Sequence, residues 1–218
     1  MTNAELILDI YNTYNERTRE QILENLNIAI ELGKIRRVPV DRYITLPAVT
    51  NRSKHSVMSW FNRPDKKIPL IDLCMIADYL NYNIYSFFNT KDNCDITKED
   101  FLVSNEYYNS LHPPDSAEIF IKAYNLQLNT DKNIVLNNIE KYYGTSKQIV
   151  DHHLSIRQNK IRELCNCTRQ TYYAWFNRSR TNVKIPLISL CQIAIGAEID
   201  VFDLFIFDED ENDIIKDG

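Results

Sequence analysis

One stretch of this 218-residue chain occurs twice, and it constrains the fold more than any other feature. The first copy spans 51–63 (NRSKHSVMSWFNR) and the second spans 166–178 (NCTRQTYYAWFNR). Each copy leads into Lys-Ile-Pro-Leu, at 67–70 and 184–187, and then into a Leu-Cys-x-Ile-Ala segment. Two copies of one supersecondary unit predict an internally duplicated fold with two domains.

Each copy has the pattern of a short helix that follows a tight turn. Ser53 and Thr168 are predicted N-caps, because a hydroxyl oxygen accepts hydrogen bonds from the first free amides of a helix. After these caps, apolar residues recur with i, i+3, i+4 spacing, so each helix has one apolar stripe. The stripes are Val57, Trp60 and Phe61 in the first copy, and Tyr172, Trp175 and Phe176 in the second. The two Trp-Phe pairs are therefore the predicted structural anchors.

The turn before each helix also has a recognisable residue type. Asn51 and Asn166 lie two residues before the caps, where a tight turn between helices needs a residue that tolerates positive φ. A helix, a tight turn and a second helix with a polar outer face make a helix-turn-helix. Glycine is scarce, with four in the chain, and no sustained alternation of β-branched residues occurs. The predicted class is therefore all-α.

The repeat extends beyond the motif. A predicted helix over 3–14 is echoed by 116–128, where Ala-Glu and Tyr-Asn pairs recur at matching places. A second helix, over about 16–32, is predicted to end at Gly33, and its counterpart at Gly144, since glycine favours the helix C-terminus. The predicted domains are residues 1–90 and 115–207, with a linker at 91–114 and an acidic tail at 208–218.

The motif resembles the lambda-repressor-like (Xre-type) helix-turn-helix family, whose turn and recognition helix often read Gly-x-Ser-x-x-Thr-Ile-x-x-Trp. The resemblance implies five-helix domains that place the third helix in the DNA major groove. Two positions depart from the family pattern: Asn replaces the turn glycine in both copies, and Pro47 stands where Ala is usual early in the second helix. Family residues that face bases correspond here to Lys54, His55, Ser59, Arg169, Gln170 and Ala174.

The resemblance and the flanking basic residues together imply a set of phosphate contacts. In the first copy these are Arg52, Ser53, Asn62, Arg63, Lys66 and Lys67. In the second copy they are Thr168, Asn177, Arg178, Arg180 and Lys184.

A net charge of −5 is unfavourable for binding to DNA, but the charges are unevenly distributed along the chain. Residues 34–67 hold nine Lys/Arg against two acidic residues, and residues 157–184 hold seven against one. The rest of the chain therefore has nine of the 25 basic residues and 27 of the 30 acidic ones. Because local fields attract phosphates within a Debye length of about 10 Å, the two basic stretches predict phosphate-facing surfaces.

The sequence argues against several other classes of protein. No Gly-rich phosphate loop, Gly-x-Ser-x-Gly, His-Glu-x-x-His or paired Cys-x-x-Cys is present, so we expect neither an enzyme nor a cofactor. Cys165 and Cys167 lack a second pair at zinc spacing, and we expect no metal site. Cys74 and Cys191 lie on predicted apolar faces and are expected in the cores. Five cysteines, no signal-peptide pattern and no apolar run of about 20 residues predict a cytoplasmic protein outside the membrane.

Together these observations predict a sequence-specific double-stranded DNA-binding transcriptional regulator, a repressor of phage or mobile-element type, with two non-identical recognition helices. A fused pair of helices in one chain and a homodimer that uses one helix per chain are both open arrangements. The alternative function is a protein-binding inhibitor of the anti-CRISPR type that keeps this fold. Overall acidity, the acidic tail and the outward Tyr173 and Ala174 on the second copy's face favour that alternative. A purely structural scaffold leaves the basic clustering unexplained.

Overall fold

Helices account for all the regular secondary structure of the part of the chain that the structure describes. A computed structural model describes residues 1–90, 96–144 and 156–207, and these residues form eleven α-helices, two short 3₁₀ helices and no strand. The prediction of an all-α fold is therefore confirmed. None of the helices in the described ranges is both long and apolar enough to cross a membrane.

The helices follow one another along the chain with short connections. They are α1 (Asn3–Glu16), α2 (Arg19–Ile35), α3 (Thr45–Thr50), α4 (Lys54–Asn62), α5 (Leu70–Leu80), α6 (Lys98–Leu111), α7 (Ser116–Asn129), α8 (Lys132–Tyr143), α9 (Ile156–Leu164), α10 (Arg169–Phe176) and α11 (Leu187–Ala197). The 3₁₀ helices are Ile84–Phe88 and Val201–Phe205.

The chain divides into two compact units, and the division differs from the predicted domains. The N-terminal unit is Leu6–Lys122, and the C-terminal unit contains the described residues from Ala123 onward together with Met1–Glu5. The division therefore falls inside α7 rather than in the predicted linker, 91–114. The predicted acidic tail, 208–218, lies outside the described residues.

In the N-terminal unit, α2, α5 and α6 pack around the first 3₁₀ helix. The predicted linker supplies α6, which is not a free connection because its Phe101 is fully buried. The Phe101 ring meets the rings of Tyr82 and Phe87 edge-on, with centroids 5.1 and 5.7 Å away. Burying an aromatic ring in this way stabilises the helix against the unit, so α6 belongs to the N-terminal unit's core.

The C-terminal unit has a core built in a similar manner. Helices α8 and α11 pack against the second 3₁₀ helix, and α9 packs against α10 and α11. The buried side chains of this core include Leu136, Ile139, Ile193, Leu204 and Cys191. Cys191, like Cys74 in the N-terminal unit, is fully buried, which confirms both cysteines as small core residues.

Hydrogen bonds of the same kind recur in the two units. The Tyr14 hydroxyl donates to the Ile68 carbonyl at 2.7 Å, and the Gln127 amide donates to the Ile185 carbonyl at 3.0 Å. Both contacts join the unit's first long helix to the Lys-Ile-Pro-Leu segment.

The second helix of each unit is likewise joined to the end of the 3₁₀ helix. The Asn25 amide donates to the Phe87 and Asn89 carbonyls, and the Asn138 amide donates to the Leu204 and Ile206 carbonyls. These bonds satisfy carbonyls at the end of a short helix, which would otherwise lack partners.

The two glycines that were predicted to end helices behave differently. Gly144 has φ +76° and follows α8, as predicted. Gly33 lies inside α2, which continues to Ile35, and the prediction that the helix ends at Gly33 is wrong. A Cβ at Gly33 would lie 2.8 Å from Cγ2 of Val40. Glycine is therefore needed here because the Val40 side chain packs closely against the helix backbone, and not because of a positive φ.

Candidate nucleic-acid interface

Helices α3 and α4 are joined by a tight turn, and α4 begins at the predicted cap. Asn51 has φ +52°, and the Ser53 hydroxyl accepts a hydrogen bond from the Ser56 amide at 3.1 Å. Both features were predicted from residue type and are confirmed. Pro47 is the third residue of α3, where the amide that proline lacks has no partner within the helix.

Helix α10 begins in the same way. Asn166 has φ +44°, and the Thr168 hydroxyl accepts from the Thr171 amide at 3.1 Å. Helix α9, which precedes this turn, begins at Ile156. The short polar turn thus orients α10 against α9 as the equivalent turn orients α4 against α3.

The predicted anchors lie on the inner side of the two helices. Trp60 and Trp175 are 4% and 8% exposed, so each indole is buried in its unit. Phe61 and Phe176 are only half-buried, and an arginine covers each ring. The tryptophans therefore supply most of the buried anchor surface, and the phenylalanines lie at its edge.

A cation from the second helix of each unit binds the carbonyl end of α4 or α10. The Arg19 guanidinium donates to the Trp60 carbonyl at 2.7 Å and to the Lys66 carbonyl at 3.0 Å. The buried Lys132 ammonium donates to the Asn177 and Arg180 carbonyls at 2.9 Å each. Carbonyls at a helix C-terminus lack partners within the helix and carry partial negative charge, so both cations stabilise the helix end.

Arg19 and Lys132 were not among the functional residues predicted from the sequence. The sequence gives one indication of their role: each is a basic residue directly after an N-cap. A positive charge at the N-terminus of a helix is unfavourable for that helix, which suggests that the side chain binds a partner elsewhere in the fold. Burial lowers the pKa of Lys132, with a further contribution from nearby Arg180.

The predicted base-facing residues lie mostly on the outer side of the two helices. Lys54 and His55 in α4 are exposed, as are Arg169 and Gln170 in α10. Ser59 and Ala174, one helical turn further along, are half-buried. The Ser59 hydroxyl donates to the Ser56 carbonyl at 2.6 Å, so its proton is already used within the helix.

A tyrosine contacts one of the predicted base-facing cations in each unit. The Lys54 ammonium lies 4.7 Å from the centroid of the Tyr43 ring, which precedes α3. Arg169 donates from Nε and Nη2 to the Tyr173 hydroxyl at 3.3 and 3.2 Å. These hydrogen bonds lower the pKa of Tyr173. The two cations are thus oriented by aromatic neighbours before any ligand is present.

Several predicted phosphate contacts are instead bound within the protein. Nε of Arg52 lies 3.1 Å from both carboxylate oxygens of buried Asp72. Burial raises the pKa of Asp72, and the Arg52 contact opposes that rise. Arg178 donates to Glu140 at 3.0 Å and to Asn137 at 2.9 Å, which draws its guanidinium onto α8.

The lysines of the two Lys-Ile-Pro-Leu segments also have structural partners. The Lys67 ammonium donates to the Tyr14 carbonyl at 2.6 Å and lies 3.8 Å from the centroid of the Tyr14 ring. Lys184 donates to the carbonyls of Leu128 and Thr130. Each lysine therefore binds the C-terminal end of a long helix, and burial lowers the pKa of Lys67.

The remaining predicted phosphate residues are exposed. Asn62, Arg63 and Lys66 lie at the surface beside the end of α4, and Arg180 lies in the loop after α10. Within the described residues, the side chains of Arg63 and Lys66 make no hydrogen bond or ion pair. Asn177 is exposed, and its side-chain oxygen accepts from the Ser179 amide at 3.0 Å.

A groove of about 320 Å³ runs beside α4 in the N-terminal unit. The lining residues are Arg52, Ser56, Ser59, Trp60, Lys66, Lys67, Pro69 and Asp72. Since Arg52 and Lys67 are bound to protein groups, Lys66 supplies the uncommitted positive charge of this lining.

Arg157 was counted in the second basic stretch, but it lies in the interior of the C-terminal unit. It is 4% exposed and donates to Glu140 at 2.9 Å, to the Gly144 carbonyl at 3.0 Å and to the Tyr172 hydroxyl at 3.1 Å. A buried guanidinium with these partners contributes to packing rather than to a surface field.

The described residues contain no group of three or more His, Cys, Asp or Glu side chains that could hold a metal ion. The adjacent histidines at 152 and 153 lie outside the described residues. Comparison with known proteins found no matching protein family, no matching curated protein and no matching solved structure.

Proposed function

We propose that this chain is a sequence-specific double-stranded DNA-binding regulator, a repressor, in which α3–α4 and α9–α10 are the two helix-turn-helix elements of an internally duplicated protein. The main support is the way α4 and α10 are held. A buried tryptophan lies beneath each helix and a cation binds its carbonyl end, so the polar first turn is presented outward.

The exposed first-turn residues have suitable chemistry for base reading. A guanidinium can bind guanine O6 and N7 with two donors, which suits Arg169, and an amide can pair with adenine N6 and N7, which suits Gln170. The Lys54 ammonium can donate to guanine. Because the two first turns differ, we expect two half-sites of different sequence.

Phosphate contacts would come from the cations that the protein leaves uncommitted. Arg63 and Lys66 lie beside the end of α4, and Arg180 lies beyond the end of α10. Such contacts set the register of a protein on the duplex and do not read sequence. The acidic surface elsewhere is compatible with this role, since only nearby charges act strongly on a phosphate.

The direct test is selection of bound sequences from random duplexes, followed by footprinting of the selected sequence. Protection of a site with two different half-sites by a single bound chain would support a fused pair of reading helices. Protection of a symmetric site by two bound chains would support a homodimer. Failure to select any sequence would contradict the proposal.

Two double variants provide matched controls for base reading. Replacing Arg169 and Gln170 by Ala should cost about 1–3 kcal/mol per lost bidentate pair and relax preference at one half-site. Replacing Lys54 and His55 by Ala should relax preference at the other half-site. If both variants select the parent sequence unchanged, neither helix reads bases.

A second candidate is a protein-binding inhibitor of the anti-CRISPR type, and one observation favours it. Arg157 and Arg178 both bind Glu140, so the C-terminal unit has fewer uncommitted cations than its sequence suggests. Tyr173, in contrast, is 49% exposed on the outer face of α10. Binding through six or more phosphates should weaken about 10³-fold between 50 and 200 mM salt, whereas an aromatic protein interface should weaken much less.

A further inference from the structure

We propose, on the basis of the DNA-binding function above, that Tyr173 is a positioning residue that orients Arg169 for base recognition. Nε and Nη2 of Arg169 donate to the Tyr173 hydroxyl at 3.3 and 3.2 Å. The two residues are four positions apart on α10, where side chains of one helix face are neighbours. Both are exposed, so this contact lies on the outer face of α10.

The geometry of the guanidinium determines what the contact leaves free. The planar group has five N–H donors in a rigid fork, along a side edge (Nε and Nη2) and an end edge (Nη1 and Nη2). Tyr173 occupies the side edge. The end edge keeps two parallel donors, which is the arrangement that guanine O6 and N7 accept.

This contact also reduces the conformational cost of recognition. A long, exposed arginine has many rotamers, and fixing them on binding costs about 1.5–2 kcal/mol of side-chain entropy. A guanidinium already held by the Tyr173 hydroxyl has lost part of that freedom before DNA arrives. Binding to the correct base then retains more of the favourable contact energy.

The N-terminal unit contains a tyrosine that serves as a matched control. Lys54 contacts the face of the Tyr43 ring, with its ammonium 4.7 Å from the ring centroid. An ammonium is a point charge without edges, and this contact depends on the ring rather than on its hydroxyl. Phenylalanine should therefore replace Tyr43 without loss. At position 173, phenylalanine would keep the ring contact, in which Cζ of Arg169 lies 5.4 Å from the ring centroid, but it would lose both hydrogen bonds that occupy the side edge.

The experiment compares Tyr173→Phe and Tyr43→Phe in the full chain, using the duplex selected by the parent protein and duplexes with each base changed beneath α10. Tyr173→Phe should reduce discrimination for the preferred base about tenfold, within the range of one bidentate pair. Tyr43→Phe should leave discrimination at both half-sites unchanged. Circular dichroism should show both variants folded like the parent, since both tyrosines are about half exposed.

A third variant separates positioning from direct contact. If Tyr173 acts only through Arg169, then Tyr173→Phe should have no further effect on discrimination in an Arg169→Ala background. Unchanged discrimination in the single Tyr173→Phe variant would overturn the proposal. An additional loss in the Arg169→Ala background would also overturn it, by showing that Tyr173 contacts the base itself. Failure of the parent to select any duplex would instead refute the underlying DNA-binding function.

Discussion

The two units differ most clearly in the arginine that covers the phenylalanine of the repeated motif. In the N-terminal unit, Arg42 lies with its Cζ 4.5 Å from the Phe61 centroid and donates to the neutral side chain of Asn27 at 2.7 Å. In the C-terminal unit, Arg157 lies 5.1 Å from the Phe176 centroid and donates to the Glu140 carboxylate at 2.9 Å. One contact is a neutral-acceptor hydrogen bond, and the other is a largely buried ion pair.

This difference between the units changes the charge of the proposed DNA-facing surface. The Glu140 carboxylate binds Arg178 as well as Arg157, so it removes one cation from the end of α10. At the end of α4, Arg63 occupies the same motif position and remains exposed. Two motifs that end in the same Trp-Phe-Asn-Arg sequence thus provide different surface charge, because a residue on another helix differs.

The largest expected effect is one that both units should share. Replacing Trp60 or Trp175 by Ala should lower the free energy of unfolding of the unit concerned by about 3–5 kcal/mol, because each truncation leaves a cavity under α4 or α10. Urea denaturation followed by circular dichroism measures the loss, and the matched Trp→Phe variants should lose clearly less. A loss confined to one unit would show that only one tryptophan is an anchor.

The next largest effect on the free energy of unfolding should differ between the two units. Glu140→Gln leaves Arg157 buried beside a neutral acceptor and should cost the C-terminal unit about 2 kcal/mol, since a hydrogen bond to a charged group is worth more than a neutral one. Asn27→Ala, the counterpart in the N-terminal unit, should cost about 1 kcal/mol.

The chain's two tryptophans allow the units to be monitored separately. In a Trp60→Phe background, fluorescence reports the C-terminal unit through Trp175, and a Trp175→Phe background reports the other unit. Equal losses of unfolding free energy for Glu140→Gln and Asn27→Ala would show that the ion pair stabilises its unit no more than the neutral hydrogen bond does.

A smaller effect should again be equal in both units. Ser53→Ala and Thr168→Ala each remove the hydroxyl that accepts from the third amide of α4 or α10, and each should cost about 1 kcal/mol. The same fluorescence-detected urea titrations measure both losses. Ser53→Asp, which keeps a capping oxygen, should retain most of the stability, and a similar loss from it would argue against capping.

The smallest effects should appear in the salt dependence of DNA binding. Arg63→Ala should reduce the slope of log K against log salt concentration by about one, because one phosphate contact is lost. Arg178→Ala should change the slope less, since that guanidinium is bound to Glu140. The slope is measured by fluorescence anisotropy with the selected duplex between 50 and 200 mM salt.

Glu140→Gln offers the reverse test in the same assay. If Glu140 holds Arg178 away from DNA, this variant should raise the salt slope toward the value expected for an uncommitted cation. An unchanged slope would mean that the ion pair does not limit the DNA-facing charge of the C-terminal unit.

The local features of both motifs were predictable because they depend on residues within one turn of each other. The caps Ser53 and Thr168, the left-handed Asn51 and Asn166 and the buried tryptophans follow from residue type and helical spacing. The prediction for Gly33 was wrong because glycine is required either at a helix end with positive φ or where another group packs closely against the backbone. Here the close approach of the buried Val40 side chain is the reason. The prediction of a linker over 91–114 rested on its polar composition, which does not reveal the contacts of α6. Phe101 of that helix is buried, and the side-chain oxygen of Asn105 accepts hydrogen bonds from the Asn83 amide and the Ser86 hydroxyl.

The sequence by itself thus determined the motif helices α4 and α10, their caps and the repeat, since hydrogen bonding and apolar spacing along a helix are short-range. Only the tertiary structure decided which cations are available to a ligand. The sequence alone shows no difference in availability among three basic residues, Lys184, Arg178 and Arg157. The carbonyl and carboxylate groups that bind them lie 13 to 56 residues away along the chain. A charge is free or bound according to what the fold brings within about 3 Å of it, and residue order alone does not specify that distance.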